Sequence, residues 1–348
     1  MKLFYFHVPK TAGSFLNEIL GKQFKNSYFH IEGVGNFDTF PFHEYGFLSG
    51  HVSYTRMNEV LDLDEWTTLA TFREPVSYVI SHLKWVRKLA DKGEEKRFLQ
   101  HPKIFQDIAL KMKEYDFSKA EEIKKFIAWL DSINFKYFHN TQLLYMHQTA
   151  NQNNLSVQQV EKALKNLHQI DYIGIQENLD EFMDIIENEF SLNLDNSKKR
   201  KININENNYG FDINDIATRE ALFPLYEHDI AIYNEAKKIA SEQQKLYLAN
   251  GNKVIGYVDK KNDNEVIGWA RYSDSLKKVN ISLVLDGKVV NQTIANLYRN
   301  GLKIKKIHPT GLCEFKFIVS GNIDLSSCKV YADNYELPLS LENTIEGK

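Results

Sequence analysis

The sequence predicts an α/β domain over residues 1–248, a mostly parallel sheet flanked by helices, followed by a small all-β domain, sandwich or barrel, over 249–348. Two observations carry this expectation. An apolar strand-like run, a tight polar turn and an amphipathic helix follow one another at 2–20, 67–89 and 171–190, the order that builds parallel sheets. After Asn250-Gly251 the helical spacing of apolar residues gives way to short alternating runs. A chain of 348 residues is also long for a single core.

Composition narrows the function classes. With 43% hydrophobic and 26% charged residues, the chain has the make-up of a globular protein. A formal charge of −3 offers no general basic surface, so nucleic acid is not an expected partner. No apolar run approaches the roughly 20 residues of a membrane span. The N-terminus enters a strand directly, without a signal peptide's long apolar core and cleavage site. Cys313 and Cys328 are the only cysteines, which suits a reducing compartment whether or not they pair. Scarce proline and frequent Asn, Lys and Ile add to the expectation of a bacterial cytoplasmic protein.

The first unit opens with Leu3, Phe4, Tyr5, Phe6 and Val8, an apolar run that Pro9 stops because it has no N–H to donate. Lys10-Thr11-Ala12-Gly13-Ser14 follows, and then Phe15, Leu16, Ile19 and Leu20 recur at helical spacing. A helix N-terminus carries unpaired N–H groups and partial positive charge, so this turn suits a phosphate or sulfate. Lys10 adds a full charge, Thr11 and Ser14 add hydroxyl donors, and Gly13 lets the backbone come close. The pattern is not GxxxxGK[ST], because it has one glycine and the lysine precedes it.

Residues 26–50 are rich in aromatics, His and Gly without a clean period, and read as loop with one short strand at the end. FLSGHVS at 47–53 brings His51 to a strand end. A histidine suits general-base work because its ordinary pKa is near neutrality. His43 and Glu44 are the reserve candidates for that task. In the second unit a β-prone run from Thr67 to Phe72 is broken by Arg73-Glu74-Pro75, with Pro75 suited to a first helical turn. Arg73 at such a turn can hold a phosphate bidentately. Ser81 lies about two helical turns beyond Pro75.

Residues 91–170 read as amphipathic helices, with Ser156 a fitting N-cap and Phe126, Trp129 and Leu130 expected in the core. Asp171 to Ile175 reads as a strand and the following residues as a helix. Lys198, Lys199, Arg200 and Lys201 form a basic run, and residues 212–245 one or two long helices in which His228 and Asp229 read as surface or structural. Beyond residue 253 come six short alternating strands, and Asp286-Gly287 marks a hairpin. Trp269, flanked by Ile267 and Ala270, is expected in the core of this domain. Tyr272, Tyr298 and Tyr331, where exposed, could stack on sugar rings.

These segments resemble the PAPS-dependent carbohydrate sulfotransferases, which use 3′-phosphoadenosine-5′-phosphosulfate (PAPS), and above all the heparan sulfate and uronosyl 2-O-sulfotransferases. HVPKTAGS resembles that family's 5′-phosphosulfate loop, IPKTAGT or VPKTAST. REPVSYVIS resembles its 3′-phosphate segment, RDPxxRxxS, with Glu74 for the aspartate and Tyr78 where an arginine often stands. YIGIQENLDEF resembles its VGxxEnLdxf strand and helix, Asn140 and Gln142 its N-x-Q segment, and LFPLYEHDIAIYNEA its terminal helix. Most of the first 248 residues are covered. The pattern YVD…IxGWA also resembles β-modules appended to bacterial glycan-modifying enzymes, over a short stretch only.

The resemblance implies a P-loop-like sheet, with Lys10, Thr11, Ala12, Gly13 and Ser14 around the 5′ end of PAPS and Arg73 and Ser81 on its 3′-phosphate. Arg200 and Lys201 belong to a basic loop that would close over the nucleotide, and His51 is the implied base. It implies sulfuryl transfer to a hydroxyl of a saccharide or glycan, leaving PAP, with Lys10 stabilising the leaving oxygen and no metal required. The alternatives are a phosphoryl transferase or kinase on the same fold, or a non-catalytic nucleotide- or glycan-binding protein. The β domain is expected to position a glycan acceptor or to mediate self-association into a homo-oligomer.

Overall fold

The computed structural model describes residues 1–148, 155–192, 194, 207–262, 264–318 and 325–340. Five strands, β1 (Leu3–Phe6), β2 (Ser27–Tyr28), β3 (Phe47–Gly50), β4 (Thr67–Phe72) and β5 (Tyr172–Ile175), form one sheet in the order β2-β3-β1-β4-β5. Every pairing in it is parallel, as the strand–turn–helix order requires. The helices are α1 (Gly13–Gly21), α2 (Tyr54–Val60), α3 (Pro75–Lys88), α4 (Glu95–Gln100), α5 (Lys103–Lys111), α6 (Ala120–Ser132), α7 (Thr141–Met146), α8 (Val157–Leu167), α9 (Leu179–Phe190), α10 (Ile216–Leu222) and α11 (Asp229–Leu248). No described helix is long and apolar enough to cross a membrane.

The alternation of side chains along each strand sorts the helices into two layers. Leu3, Tyr5, Phe47, Leu69 and Tyr172 pack with the apolar faces of α1 and α9. Their neighbours Phe4, Phe6, Leu48, Ala70, Phe72 and Ile173 pack with α3, α5, α6, α7, α8 and α11. Phe126 and Leu130 lie in this larger core, with Trp129 on its flank. Ser156 caps α8 in a reciprocal capping box with Gln159. The segment 26–50 is more ordered than its lack of period suggests: β2 and three 3-10 turns precede β3.

Asp229 is a buried structural residue. Its carboxylate accepts the N–H groups of Gln142 (3.3 Å) and Leu143 (2.8 Å) at the start of α7. Asp229→Ala is expected to destabilise the fold by roughly 2–4 kcal/mol, since two buried N–H groups lose their acceptor. Burial lifts this carboxyl from 3.8 to about 7. The folded chain therefore keeps a proton that the unfolded chain releases. The group's contribution is full below 3.8 and is lost as pH rises through about 7. Denaturant titrations at several pH values should show that slope in the wild type and its loss in Asp229→Asn; equal slopes in both would contradict this assignment.

The C-terminal region holds two small antiparallel sheets. One has the order β10 (Leu297–Tyr298), β11 (Leu312–Ile318), β7 (Glu265–Tyr272), β6 (Val254–Lys261); the other has β13 (Tyr335–Glu336), β12 (Lys329–Ala332), β8 (Asn280–Leu285), β9 (Lys288–Ile294). Val258, Val266, Phe315 and Phe317 from the first share a core with Ile281, Leu283, Val330 and Ala332 from the second, so the sheets are the halves of a sandwich. Asp286 and Gly287, both at positive φ, turn the β8–β9 hairpin. Trp269 is buried with Leu302 and Cys313, and Cys328 is buried in the other cluster.

This region packs along the edge where the parallel strands begin. Lys303, on the short helix α12 (Asn300–Ile304), pairs with Asp171 just before β5 (2.9 Å), and Lys278 pairs with the fully buried Glu189 of α9 (2.9 Å).

Candidate active site

The opposite edge, where the parallel strands end, carries a cavity of about 1350 Å³. Residues from three strand–turn–helix units meet there, as expected where such strands end. Lys10, Ala12, Gly13 and Ser14 line it from the first unit, Arg73 and Ser81 from the second, and His51 from the end of β3. Trp85, Arg97, His101 and Tyr137 line it too, and Gln176 to Glu181 add the turn after β5. All the described lining residues lie between His7 and Glu181, so the β region contributes none of them. Arg200 and Lys201 lie outside the described residues.

The first turn is strained. Lys10 (φ 65°) and Ala12 (φ 72°) both sit in the left-handed region, costly for residues with a Cβ. Such alternation is the backbone of anion-binding concavities. α1 begins without a side-chain cap and without an acidic residue in its first turn, so its N–H groups and dipole are not neutralised locally. Gly13 is required by close approach: a Cβ there would lie 1.9 Å from the His7 ring. The Lys10 ammonium has no bonded partner among the described residues. Burial, with Arg73, Arg97 and Lys88 nearby, pulls its ammonium down to about 8.

Thr11 differs from the sequence expectation. Its side chain is fully buried, and its hydroxyl donates to the Val8 carbonyl (2.7 Å) instead of facing the cavity. Thr71 on β4 donates to the Thr11 carbonyl (2.9 Å) and also meets the Tyr5 hydroxyl (2.6 Å). Thr11 therefore fastens the strained turn to the sheet.

Arg73 is held at its backbone by one side chain. The Arg73 N–H donates to Gln142 Oε1 (2.8 Å), and Gln142 Nε2 donates back to the Arg73 carbonyl (2.9 Å). Asp229 fixes the start of α7 and so fixes Gln142. The Arg73 guanidinium donates to the Lys10 carbonyl (3.3 Å), while its Nε is buried without a partner among the described residues. A buried unpaired guanidinium N–H points to an anion that completes it. Glu74 caps α3 by accepting the Ser77 N–H (2.7 Å), and Glu177 accepts the Glu74 N–H (3.0 Å). Glu177 thus ties the third unit to the second.

His51 has one possible tautomer in its neutral form. Its Nδ1 lies 2.8 Å from the His7 carbonyl, which can only accept, so Nδ1 carries the hydrogen and Nε2 keeps the lone pair. The His51 N–H donates to Glu32 (2.8 Å), and the His7 ring lies against the His51 ring with centroids 4.3 Å apart. Burial lowers the His51 pKa, opposed by the bond to His7 and by Glu32. The neutral, proton-accepting form is favoured. His43 and Glu44 sit on a 3-10 turn, Phe42–Glu44, and do not line the cavity.

Sequence reasoning missed His7, His30 and Glu32. His7 directly follows β1 and stands three residues before Lys10 in the strained turn, a signal that was there to use. His30 and Glu32 lie in an aperiodic segment, and only the fold brings them to His51.

No protein-family model matches this chain, and no curated protein matches it. What the site can do is therefore read from its own chemistry.

Proposed function

We propose that this chain is a sulfotransferase that moves a sulfuryl group from PAPS to a hydroxyl, of a saccharide or glycan, and releases PAP. One observation carries the reading. A strained basic turn at a helix N-terminus, an arginine with an unpaired buried N–H and a neutral histidine with a fixed free lone pair line a single cavity. Ligand pockets commonly measure about 300–1,000 Å³. At about 1350 Å³ this one has room for a nucleotide and part of an acceptor.

The donor's 5′ end lies at Lys10 and the first turn of α1 in this reading, and its 3′-phosphate at Arg73 and Ser81. The acceptor hydroxyl attacks sulfur in line. The new O–S bond forms as the bond from sulfur to the 5′-phosphate oxygen breaks, and the hydroxyl proton passes to His51 Nε2. Lys10 and the N–H groups of the turn offset the charge on the leaving oxygen. Positioning and electrostatics supply most of the rate, as in phosphoryl transfer.

Incubation with radiolabelled PAPS and a panel of saccharides tests the reading by transfer of label. Transfer of phosphate from ATP to the same panel would favour the kinase alternative, and tight PAP binding without transfer to any hydroxyl the non-catalytic one. Arg73→Ala is expected to weaken PAP binding by roughly 2–3 kcal/mol, the worth of a charge-assisted pair. Calorimetry checks this, and unchanged affinity would remove Arg73 from the phosphate site.

A further inference from the structure

We propose that His30, Glu32 and His51 form a binding site for a divalent transition-metal ion, zinc by the chemistry of its donors. One ligand atom from each residue lies within 4.8 Å of the other two. His30 and Glu32 flank the start of the 3-10 turn Ile31–Gly33, and His51 follows β3 directly. Around tetrahedral zinc, ligand atoms at about 2.0–2.1 Å from the metal stand about 3.3 Å from one another. The remaining closure falls to His30, whose side chain is 66% exposed and has room to swing.

Two of the three ligands already have the supporting bonds that metal ligands need. His51 Nδ1–H donates to the His7 carbonyl (2.8 Å), which leaves Nε2 as the ring's available ligand atom. Glu32 Oε2 accepts the His51 N–H (2.8 Å), which holds the carboxylate and leaves Oε1 beside His30 Nδ1 (3.1 Å). The fold keeps space for that carboxylate: a Cβ on Gly50 would lie 2.5 Å from Glu32 Oε2. Two imidazoles and a carboxylate suit zinc and its first-row neighbours better than magnesium or calcium, and three protein ligands leave a further position open.

A metal held through His51 Nε2 occupies the lone pair that proton transfer uses. Zinc and the acceptor hydroxyl therefore compete, and zinc inhibits. This consequence rests on the sulfuryl-transfer reading; the metal site itself does not.

Calorimetric titration of the full chain with zinc chloride alone tests the site. The wild type is expected to bind one zinc per chain. His30→Ala and Glu32→Gln are each expected to weaken that binding at least tenfold, since even supporting residues around metals are worth 10–100-fold. His43→Ala, altered outside the cluster, is expected to match the wild type. Circular dichroism of each variant establishes that it is folded. Cobalt(II) in place of zinc should give visible absorption bands that His30→Ala abolishes. A wild type that binds no zinc, or folded His30→Ala and Glu32→Gln proteins that bind it as the wild type does, overturns the site. Zinc binding in a protein that transfers no sulfuryl group supports the site while counting against the enzymatic reading. Transfer that proceeds undiminished with zinc bound overturns the competition.

Discussion

His51→Ala is expected to lower turnover by a factor on the order of 10²–10⁴ while leaving PAP affinity nearly unchanged. The split follows from where His51 stands. It lines the cavity from the end of β3, whereas the groups proposed to bind the nucleotide come from the turns after β1 and β4. The proposed reaction uses only its free Nε2. The Nδ1–H bond to the His7 carbonyl is positional. A second variant separates these parts. His51→Asn can keep a side-chain N–H near the His7 carbonyl but has nothing in place of Nε2. It is expected to fold like the wild type and to be about as slow as His51→Ala. Full activity in either variant removes His51 from the mechanism, and unfolding of both assigns the residue a structural role instead.

Lys10→Met is expected to lower kcat by about 10²–10³, the usual loss when a preorganised charge at a developing oxyanion is removed. The same variant should be no less stable than the wild type. Lys10 is half-buried, its ammonium has no bonded partner among the described residues, and burial together with the nearby Arg73, Arg97 and Lys88 pulls it down to about 8. Methionine keeps most of the side-chain length and relieves that desolvation and repulsion. A thermal melt that holds or rises while turnover collapses would mark Lys10 as a residue kept for function at a cost in stability. A variant that loses stability and activity together would assign Lys10 to the fold.

The strand–turn–helix units were legible because they are local. Apolar runs, a breaking proline and a helical period mark 2–20, 67–89 and 171–190, and the structure places β1 with α1, β4 with α3 and β5 with α9 there. The change of period after Asn250-Gly251 marked the two antiparallel sheets for the same reason. Thr11 was misread because the direction of a turn side chain depends on a partner distant in sequence. Its anchor, Thr71, lies on another strand, joined to it only through the pairing of β1 with β4. His30 and Glu32 were hidden in the same way, since they follow β2, which stands beside β3 and His51 only through the parallel pairing of those two strands. The docking of the β region gave no sequence signal either. It uses ion pairs, Lys303 with Asp171 and Lys278 with Glu189, whose members look like ordinary surface charges in the sequence, together with Leu312, which joins the apolar cluster of α1 and α9. That docking puts the region at the far edge of the sheet from the cavity, so a direct part in holding the donor has no described residue to perform it.

In the proposed function one cavity holds a nucleotide by both a 5′ anion and a 3′-phosphate. Titration of the wild type with PAP and with adenosine 5′-monophosphate, which lacks the 3′-phosphate, tests it most directly. PAP is expected to bind at least tenfold more tightly, because the proposed contact of Arg73 with a 3′-phosphate is one the monophosphate does not offer. Equal affinity for the two, or no binding of either, would contradict the assignment of this site to PAPS.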